Sequence, residues 1–278
     1  MANSDTEVVI IGGGAAGIAA GRHLHGAGVE CLIVEARPRL GGRAWTMFAP
    51  SGEPVDLGCG WLHSADRNPW VAIAQAQGRT IDKTRPPWSR SSREDNFPAA
   101  QQREFAQAQH AFYERLEAAA KSGPDAPASS ALEPGNRWNA LINAVGSFIS
   151  GAELDRVSLI DIDRYGDTET NWRIVEGYGV TIAAHGAKVP MMLECPVTRI
   201  DHSTFRIKVE TSKGTITADR VIVTLPSNLI AENEVLFFPK LPQKTEAARG
   251  LPLGLNDKLF LSLDHAKRLT ATAASSAR

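Results

Sequence analysis

Two runs near the start of the chain, residues 8–11 (Val8, Val9, Ile10, Ile11) and 31–34 (Cys31, Leu32, Ile33, Val34), are apolar at every position rather than at alternate ones. That is the pattern of strands covered on both faces. Between them a glycine cluster leads into an alanine-rich stretch that reads as a helix to about Ala27. Strand, helix and strand in about 30 residues make a βαβ unit, whose parallel strands need a right-handed crossover.

From Ser64 to about Ala100 the pattern breaks: apart from a short apolar stretch after Trp70, the text is rich in Pro, Ser, Arg and Asp, including Arg85-Pro86-Pro87-Trp88 and residues 89–96. It predicts an irregular surface connection leading out of the first unit. Residues 101–121 predict an amphipathic helix with Phe105, Phe112, Leu116 and Ala119 on one stripe. Residues 122–135, rich in Ser, Gly, Ala and Pro, end it; a second helix over 138–149 and a third after Ser150 are expected. Strands return at 172–175, 196–200, 205–211, 215–218 and 221–225, with Phe205, Ile207 and Val209 alternating and Lys213-Gly214 placed for a hairpin turn.

Composition adds mainly exclusions. The 278 residues are 43% hydrophobic and 22% charged, enough for one large or two modest cores. Lys plus Arg number 30 against 31 Asp plus Glu, so no global field would hold the chain on nucleic acid or an anionic membrane. Cys31, Cys59 and Cys195 lie far apart, and Cys59 with His63 does not make a four-ligand set, so neither a disulfide framework nor a metal site is expected. Cys31 reads as a small buried hydrophobe. No apolar run approaches the roughly 18 residues of a membrane span. The first residues lack a basic segment followed by a separate apolar one, so the chain reads as cytoplasmic.

The chemistry starts at Ile11-Gly12-Gly13-Gly14-Ala15-Ala16-Gly17, a GxGxxG directly after a predicted strand and opening a predicted helix. Gly12 permits the tight turn, Gly14 the approach of a pyrophosphate, and Gly17 close packing of helix on strand; the helix N-terminus then faces the phosphates with its unpaired amides. Glu35 ends the second run about 20 residues on, where a carboxylate accepts from both ribose hydroxyls and repels a 2′-phosphate.

Glu35 is followed by Ala36-Arg37-Pro38-Arg39-Leu40-Gly41-Gly42-Arg43, and with this block the sequence resembles the flavin-containing amine oxidases, which include monoamine and polyamine oxidases. Three further segments extend the resemblance. Asp56-Leu57-Gly58-Cys59-Gly60-Trp61-Leu62-His63 is similar to the family stretch beside the flavin ring. Pro196-Val197-Thr198-Arg199-Ile200 and Asp219-Arg220-Val221-Ile222-Val223-Thr224-Leu225-Pro226 are similar to strands of the FAD domain. Leu253-Gly254-Leu255-Asn256-Asp257-Lys258-Leu259 is similar to the block whose lysine holds a water against flavin N5.

The resemblance implies noncovalent FAD held by Gly12, Gly14, Ala16, Gly17, Glu35, Ala36, Arg37, Gly41, Gly42, Arg43, Gly58, Gly60, Trp61, Val197 and Thr224, with Lys258 and His63 at the chemistry. His63 reads equally as a structural histidine, Val197 as plain core, and Lys258, without the resemblance, as a solvated strand lysine.

The expected fold is α/β: a Rossmann-like FAD-binding domain from residues 1–65 and 170–230, and an α-rich substrate domain from 66–169 and 231–264, incomplete at its C-terminus. Residues 265–278, rich in small side chains, read as an irregular tail. The helical insert reads as readily as purely structural.

The implied reaction takes a hydride equivalent from the carbon of a small-molecule amine, with dioxygen as acceptor and peroxide as product. Two alternatives stand beside it: a truncated, inactive FAD-binding chain, and an NAD(P)H-dependent flavin reductase. The second needs another nucleotide fold, for which the sequence holds no further GxGxxG.

Overall fold

The structure, a computed structural model, describes residues 4–86, 88, 98–233 and 236–262. Two compact units divide the chain, one from 1–83 and 171–253, the other from 84–170 and residue 254 onward. The expected tail over 265–278 and the expected irregular run over 89–96 lie outside the described residues.

The chain enters as β1 (Ser4–Ile11), turns at Gly12, continues as α1 (Ala15–Gly26) and returns as β2 (Cys31–Val34), parallel to β1 with Val8 beside Cys31 and Ile11 beside Val34. The unbroken apolar text of β1 has a direct cause. Val9 and Ile11 point into one buried cluster, with Val34, Val209 and Ile216, while Val8 and Ile10 point into another, with Cys31, Ile33 and Val189. A strand between two cores has no solvent face, so nothing imposes alternation.

A hairpin of β3 (Thr46–Phe48) and β4 (Pro54–Asp56) follows, then α2 (Pro69–Ala76) and the short β5 (Ile81–Asp82). α2 corrects the expectation of an irregular connection there. Asn68 caps it, its side-chain oxygen accepting from the Trp70 amide at 3.0 Å, and Pro69 occupies the first helical position. The Asn-Pro pair is a helix start as well as a turn signal.

The second unit is built on helices: α3 (Ala99–Ser122), α4 (Asn139–Ser150) and α5 (Leu159–Arg164), with 3₁₀ turns at Ala128–Ala131 and Leu154–Arg156. Its core gathers Phe112, Leu116, Trp138, Ile142, Leu154 and Leu159, with Phe105 and Ala119 packed at the margin as the helical stripe predicts. Residues 254–262 of this unit form neither helix nor strand, and the Leu255 amide donates to the Gly151 carbonyl at 2.9 Å.

The first unit resumes with β6 (Arg173–Ile174), α6 (Tyr178–Gly186), β7 (Met191–Met192), β8 (Val197–Asp201), β9 (Ile207–Thr211) and β10 (Gly214–Val223), then α7 (Ser227–Glu232), β11 (Phe237–Phe238) and α8 (Pro242–Arg249). One seven-stranded sheet runs β11-β8-β9-β10-β1-β2-β7. The segment β10-β1-β2-β7 is parallel, and β8, β9 and β10 form an antiparallel meander. The fold is therefore mixed α/β on a mostly parallel sheet.

Two strand expectations change in detail. The strands expected at 215–218 and 221–225 form one strand, β10, through Asp219-Arg220, since Arg220 still pairs with Val8 of β1, and it ends at Val223. Phe205 stays outside β9 and is 96% exposed. Residues 66–83 and 231–253 group with the sheet unit and not with the helical insert. Among the described residues no helix is long and apolar enough to cross a membrane.

Candidate functional site

At the end of β1 the chain turns so tightly that only glycines fit. Gly12 has φ +108°, and a Cβ there would meet the Thr224 hydroxyl at 2.7 Å; a Cβ on Gly17 would stand 1.9 Å from the Gly12 carbonyl oxygen. Thr224 buttresses the turn, its hydroxyl donating to the Ile11 carbonyl at 2.8 Å. Gly14 differs: a Cβ there would meet nothing nearer than the Gly42 Cα at 3.9 Å, so space lies open beside its backbone. Ala16, in the first turn of α1, is exposed, and no side chain caps that helix. Its first amides are thus left to a ligand.

Glu35 closes this turn from the side. Its buried carboxylate accepts from the Gly13 amide at 2.7 Å through one oxygen and from the Arg37 amide at 2.8 Å through the other. A carboxylate has about four acceptor positions, so each oxygen keeps one for a further donor. The following loop folds back on the glycines: the Gly41 amide donates to the Gly13 carbonyl at 2.8 Å, and Gly14 and Gly41 form a parallel bridge.

Ala36 is exposed in this loop. Arg37 and Arg39 both donate to the Gly42 carbonyl, at 3.2 and 3.0 Å. Burial, and then the charge of Arg37, hold the Arg39 guanidinium below its ordinary pKa. Two cations crowded at one carbonyl leave a positive field that an anion would relieve.

Arg43 follows with an exposed guanidinium, and its backbone carbonyl carries the next segment. Cys59 donates its amide to that carbonyl at 3.4 Å, and a Cβ on Gly58 would overlap it at 1.6 Å. Leu57 donates to the Trp45 carbonyl at 2.8 Å, so the stretch from Gly58 to Trp61 runs directly past the Gly41-Gly42-Arg43 loop. Asp56 anchors its start, accepting from the Tyr178 amide at 3.0 Å, the Gly179 amide at 3.3 Å and the Thr46 hydroxyl. It serves α6 as an N-terminal cap supplied from a remote strand. Gly60 packs on the Asp56 side chain. Burial, with a smaller contribution from Cys59, pushes the Tyr178 phenol far above its ordinary pKa.

Beyond Gly60, Leu62 bridges Trp172 in an antiparallel pair. Trp61 has the Arg173 guanidinium 5.1 Å from its ring, and His63, which is exposed, meets the Asn171 side chain at 2.6 Å. Gly12, Gly14, Gly17, Glu35, Gly41, Gly42 and Thr224 thus form one connected cluster, Gly58 adjoins it through the Arg43 carbonyl, and Trp61 and His63 lie against Arg173 and Asn171.

Val197 enters through its neighbours. Glu194 and Cys195 donate their amides to the carbonyls of Arg37 and Glu35 at 3.0 and 2.9 Å, which ties the start of β8 to the Glu35 loop, while the Val197 side chain packs against the sheet core. Lys258 lies in the second unit, exposed on the run 254–262, which forms neither helix nor strand. Among the described residues no cluster of ligating side chains suits a metal ion.

The profile of the family described as "Flavin containing amine oxidoreductase" matches residues 15–114 and 87–272, nearly the whole chain. The chain belongs to this family. Its fit to the family cofactor, FAD, rests on the open space beside Gly14, the uncapped α1 and the spare acceptor positions of Glu35. Pseudooxynicotine dehydrogenase of a Pseudomonas species is 27% identical, over 89% of this chain and 57% of that protein. Probable polyamine oxidase 4 of Arabidopsis thaliana is also 27% identical, over 95% of this chain and 59% of its own length. The structure of cyclohexylamine oxidase from Brevibacterium oxydans IH-35A superposes with a TM-score of 0.69 at 23% identity, covering 88% of this chain and 63% of that one. The chain therefore spans a little under three fifths of the length of these two relatives, the dehydrogenase and the polyamine oxidase. A flavin-containing amine oxidoreductase needs more than a cradle, and what the sequence reading missed in this one is largely polar support: Asp56 beneath α6, Arg39 beside Arg37, and Asn171 beside His63. Each is joined to its partner by a contact between segments far apart in the chain, or by a backbone carbonyl, and neither leaves a spacing signal.

Proposed function

We propose that the chain, loaded with FAD, oxidises the carbon–nitrogen bond of a small amine to an imine. The observation that carries this reading is the seating of the Glu35 carboxylate on the Gly13 amide, within the turn that Gly12, Gly14 and Gly17 form. In this reading Gly12, Gly14, Ala16, Gly17, Gly41 and Gly42 hold the pyrophosphate, Arg43 neutralises it, and Glu35, with Ala36 and Arg37, holds the adenosine ribose. Val197 serves the adenine through its backbone, and Thr224 supports the turn. Gly58, Gly60 and Trp61 flank the flavin, His63 faces the amine, and Lys258 holds a water. When bound, FAD supplies the acceptor of the hydride equivalent from the carbon next to nitrogen, and dioxygen takes up the electron pair as peroxide. The protein contributes orientation and electrostatics, and the imine hydrolyses in water. The amines named for its relatives support a small-molecule amine as substrate.

A second reading, FAD binding without turnover, is favoured by the surroundings of Lys258, where Leu255 and Leu259 are 87% and 84% exposed. Purified chain, a flavin absorption spectrum and a peroxide assay against a panel of amines separate the two. Flavin absorption with amine-dependent peroxide is expected. Flavin without peroxide leaves the binding reading, rapid flavin reduction by NADH alone defeats both in favour of a reductase, and a folded chain that takes up no FAD removes all three.

A further inference from the structure

The loop from Glu35 to Arg43 brings two guanidinium groups onto one carbonyl. Arg37 donates to the Gly42 oxygen through Nη1 at 3.2 Å, and Arg39 donates to it through Nη2 at 3.0 Å. The two are held very differently. Arg39 is half-buried, donates through Nη1 to the Leu40 carbonyl at 3.3 Å, and has its guanidinium carbon 4.5 Å from the centre of the Trp45 ring. A planar fork with donors on two carbonyls and a face on an indole has little freedom to turn. Arg37 is exposed, and its guanidinium bond runs at the surface. Its backbone is fixed nonetheless, the amide donating to Glu35 Oε1 at 2.8 Å and the carbonyl accepting from the Glu194 amide at 3.0 Å. The side chain is therefore the part of Arg37 that can move.

Gly42 borders the open space beside Gly14, where a Cβ would meet the Gly42 Cα at 3.9 Å. A carbonyl oxygen has two lone pairs, so it accepts from both arginines and stays satisfied when one of them leaves. The crowding also favours departure. The charge of Arg37, after burial, depresses the Arg39 pKa, and that repulsion eases as Arg37 swings away.

We propose that Arg39 is a positioning residue: it keeps the Gly42 carbonyl satisfied and so releases Arg37 to hold the adenosine ribose of FAD. Without Arg39, Arg37 is the one arginine left on a partly buried oxygen, and it must abandon that oxygen before it can reach the cofactor. The contact of Arg37 with FAD rests on the placement proposed above; the division of labour rests on the two unequal sets of contacts.

The test is a double-mutant cycle on FAD affinity, read from flavin fluorescence in titrations of the full chain. Arg37→Met should weaken binding about tenfold. Arg39→Met should weaken it about as much by itself, but by no more than about twofold in the Arg37→Met background, where no Arg37 is left to release. Loss of charge, or of support for the fold, acts in both backgrounds alike, so equal factors overturn the proposal. Arg39→Lys keeps the charge and one donor for the carbonyl, and should bind within about threefold of wild type. Weakening as large as in Arg39→Met would also overturn the proposal. Urea midpoints taken without FAD establish that each variant is folded; where Arg39→Met is not, Arg39→Gln, whose amide ends short of the carbonyl, replaces it in the cycle with the same two factors expected. A folded chain that binds neither FAD nor ADP, or an FAD affinity indifferent to Arg37→Met, overturns this inference together with the placement of Arg37. If the coupling holds and no amine yields peroxide, the proposed function fails and this inference stands.

Discussion

Gly14 and Gly17 belong to one motif, yet the space around them separates a ligand requirement from a folding requirement. A methyl on Gly17 would sit 1.9 Å from a backbone oxygen that cannot move without opening the β1 turn. Gly17→Ala is therefore expected to destabilise the chain by about 3 kcal/mol or more, seen as a lower urea midpoint with or without cofactor. A methyl on Gly14 enters open space at an extended backbone conformation, φ −80° and ψ −177°, that alanine adopts freely. Gly14→Ala should leave the FAD-free urea midpoint within about 0.5 kcal/mol of wild type. It should weaken FAD binding by at least about tenfold, because the methyl stands where the backbone must approach phosphate. Equal FAD affinity in a flavin absorbance titration would refute that placement. Glu35 combines both requirements. Glu35→Ala strands the buried Gly13 amide and frees the part-buried Arg37 amide, for about 1–3 kcal/mol of stability, and also removes the proposed ribose acceptor, so melting temperature and FAD affinity should fall together.

At the scale of elements, the first unit depends on a helix that periodicity did not announce. α6 carries glycines at 177, 179 and 186 and little polar contrast, and it packs Tyr178 and Ile182 into the core that holds Leu62. It also lacks a capping side chain of its own, since its N-cap is Gly177. Asp56 performs that task across 122 residues of chain. Asp56→Ala should cost about 1–2 kcal/mol in chemical denaturation, with Asp56→Asn costing less because one acceptor oxygen remains; two wild-type curves would show the cap to be idle.

The other end of α6 sets a pH dependence. His185 lies in the last turn, where the helix dipole favours a cation, but burial and the nearby Arg22 win and hold its pKa below the ordinary 6.5. The folded chain then binds this proton less readily than the unfolded one. Stability is fully present above pH 6.5 and declines as pH falls from there through the lower, folded value. His185→Gln should flatten the slope of the urea midpoint between neutral and mildly acidic pH; an unchanged slope would assign the effect elsewhere. Helix α1 was legible because glycines, a strand and a carboxylate stand at fixed spacing, and α3 because its apolar stripe keeps helical period. α2 and α6 were not, since one starts with residues that also make turns and the other is capped by a residue from a different segment.

For the whole molecule, a separate core in the helical unit beside those of the sheet unit explains how a chain of ordinary composition supports both. The helical unit rests on Phe112, among the largest of the chain's fully buried side chains. Phe112→Ala should cost that unit about 3–5 kcal/mol, followed through the fluorescence of Trp138 in the same core; a loss below about 1 kcal/mol would mean that the cluster collapses around the gap.

The sequence alone determined the βαβ unit, the phosphate turn and its carboxylate, because those depend on backbone sterics and on spacings of a few residues within one continuous stretch. It also carried the family, through blocks whose residue types are too specific for a general α/β fold. Which polar groups support the site, and which unit each stretch joins, only the tertiary structure decided. Asp56 with Tyr178, Asn171 with His63 and Glu194 with Arg37 meet across more than a hundred residues, and contacts at that separation are selected by how the whole chain packs rather than by any local preference.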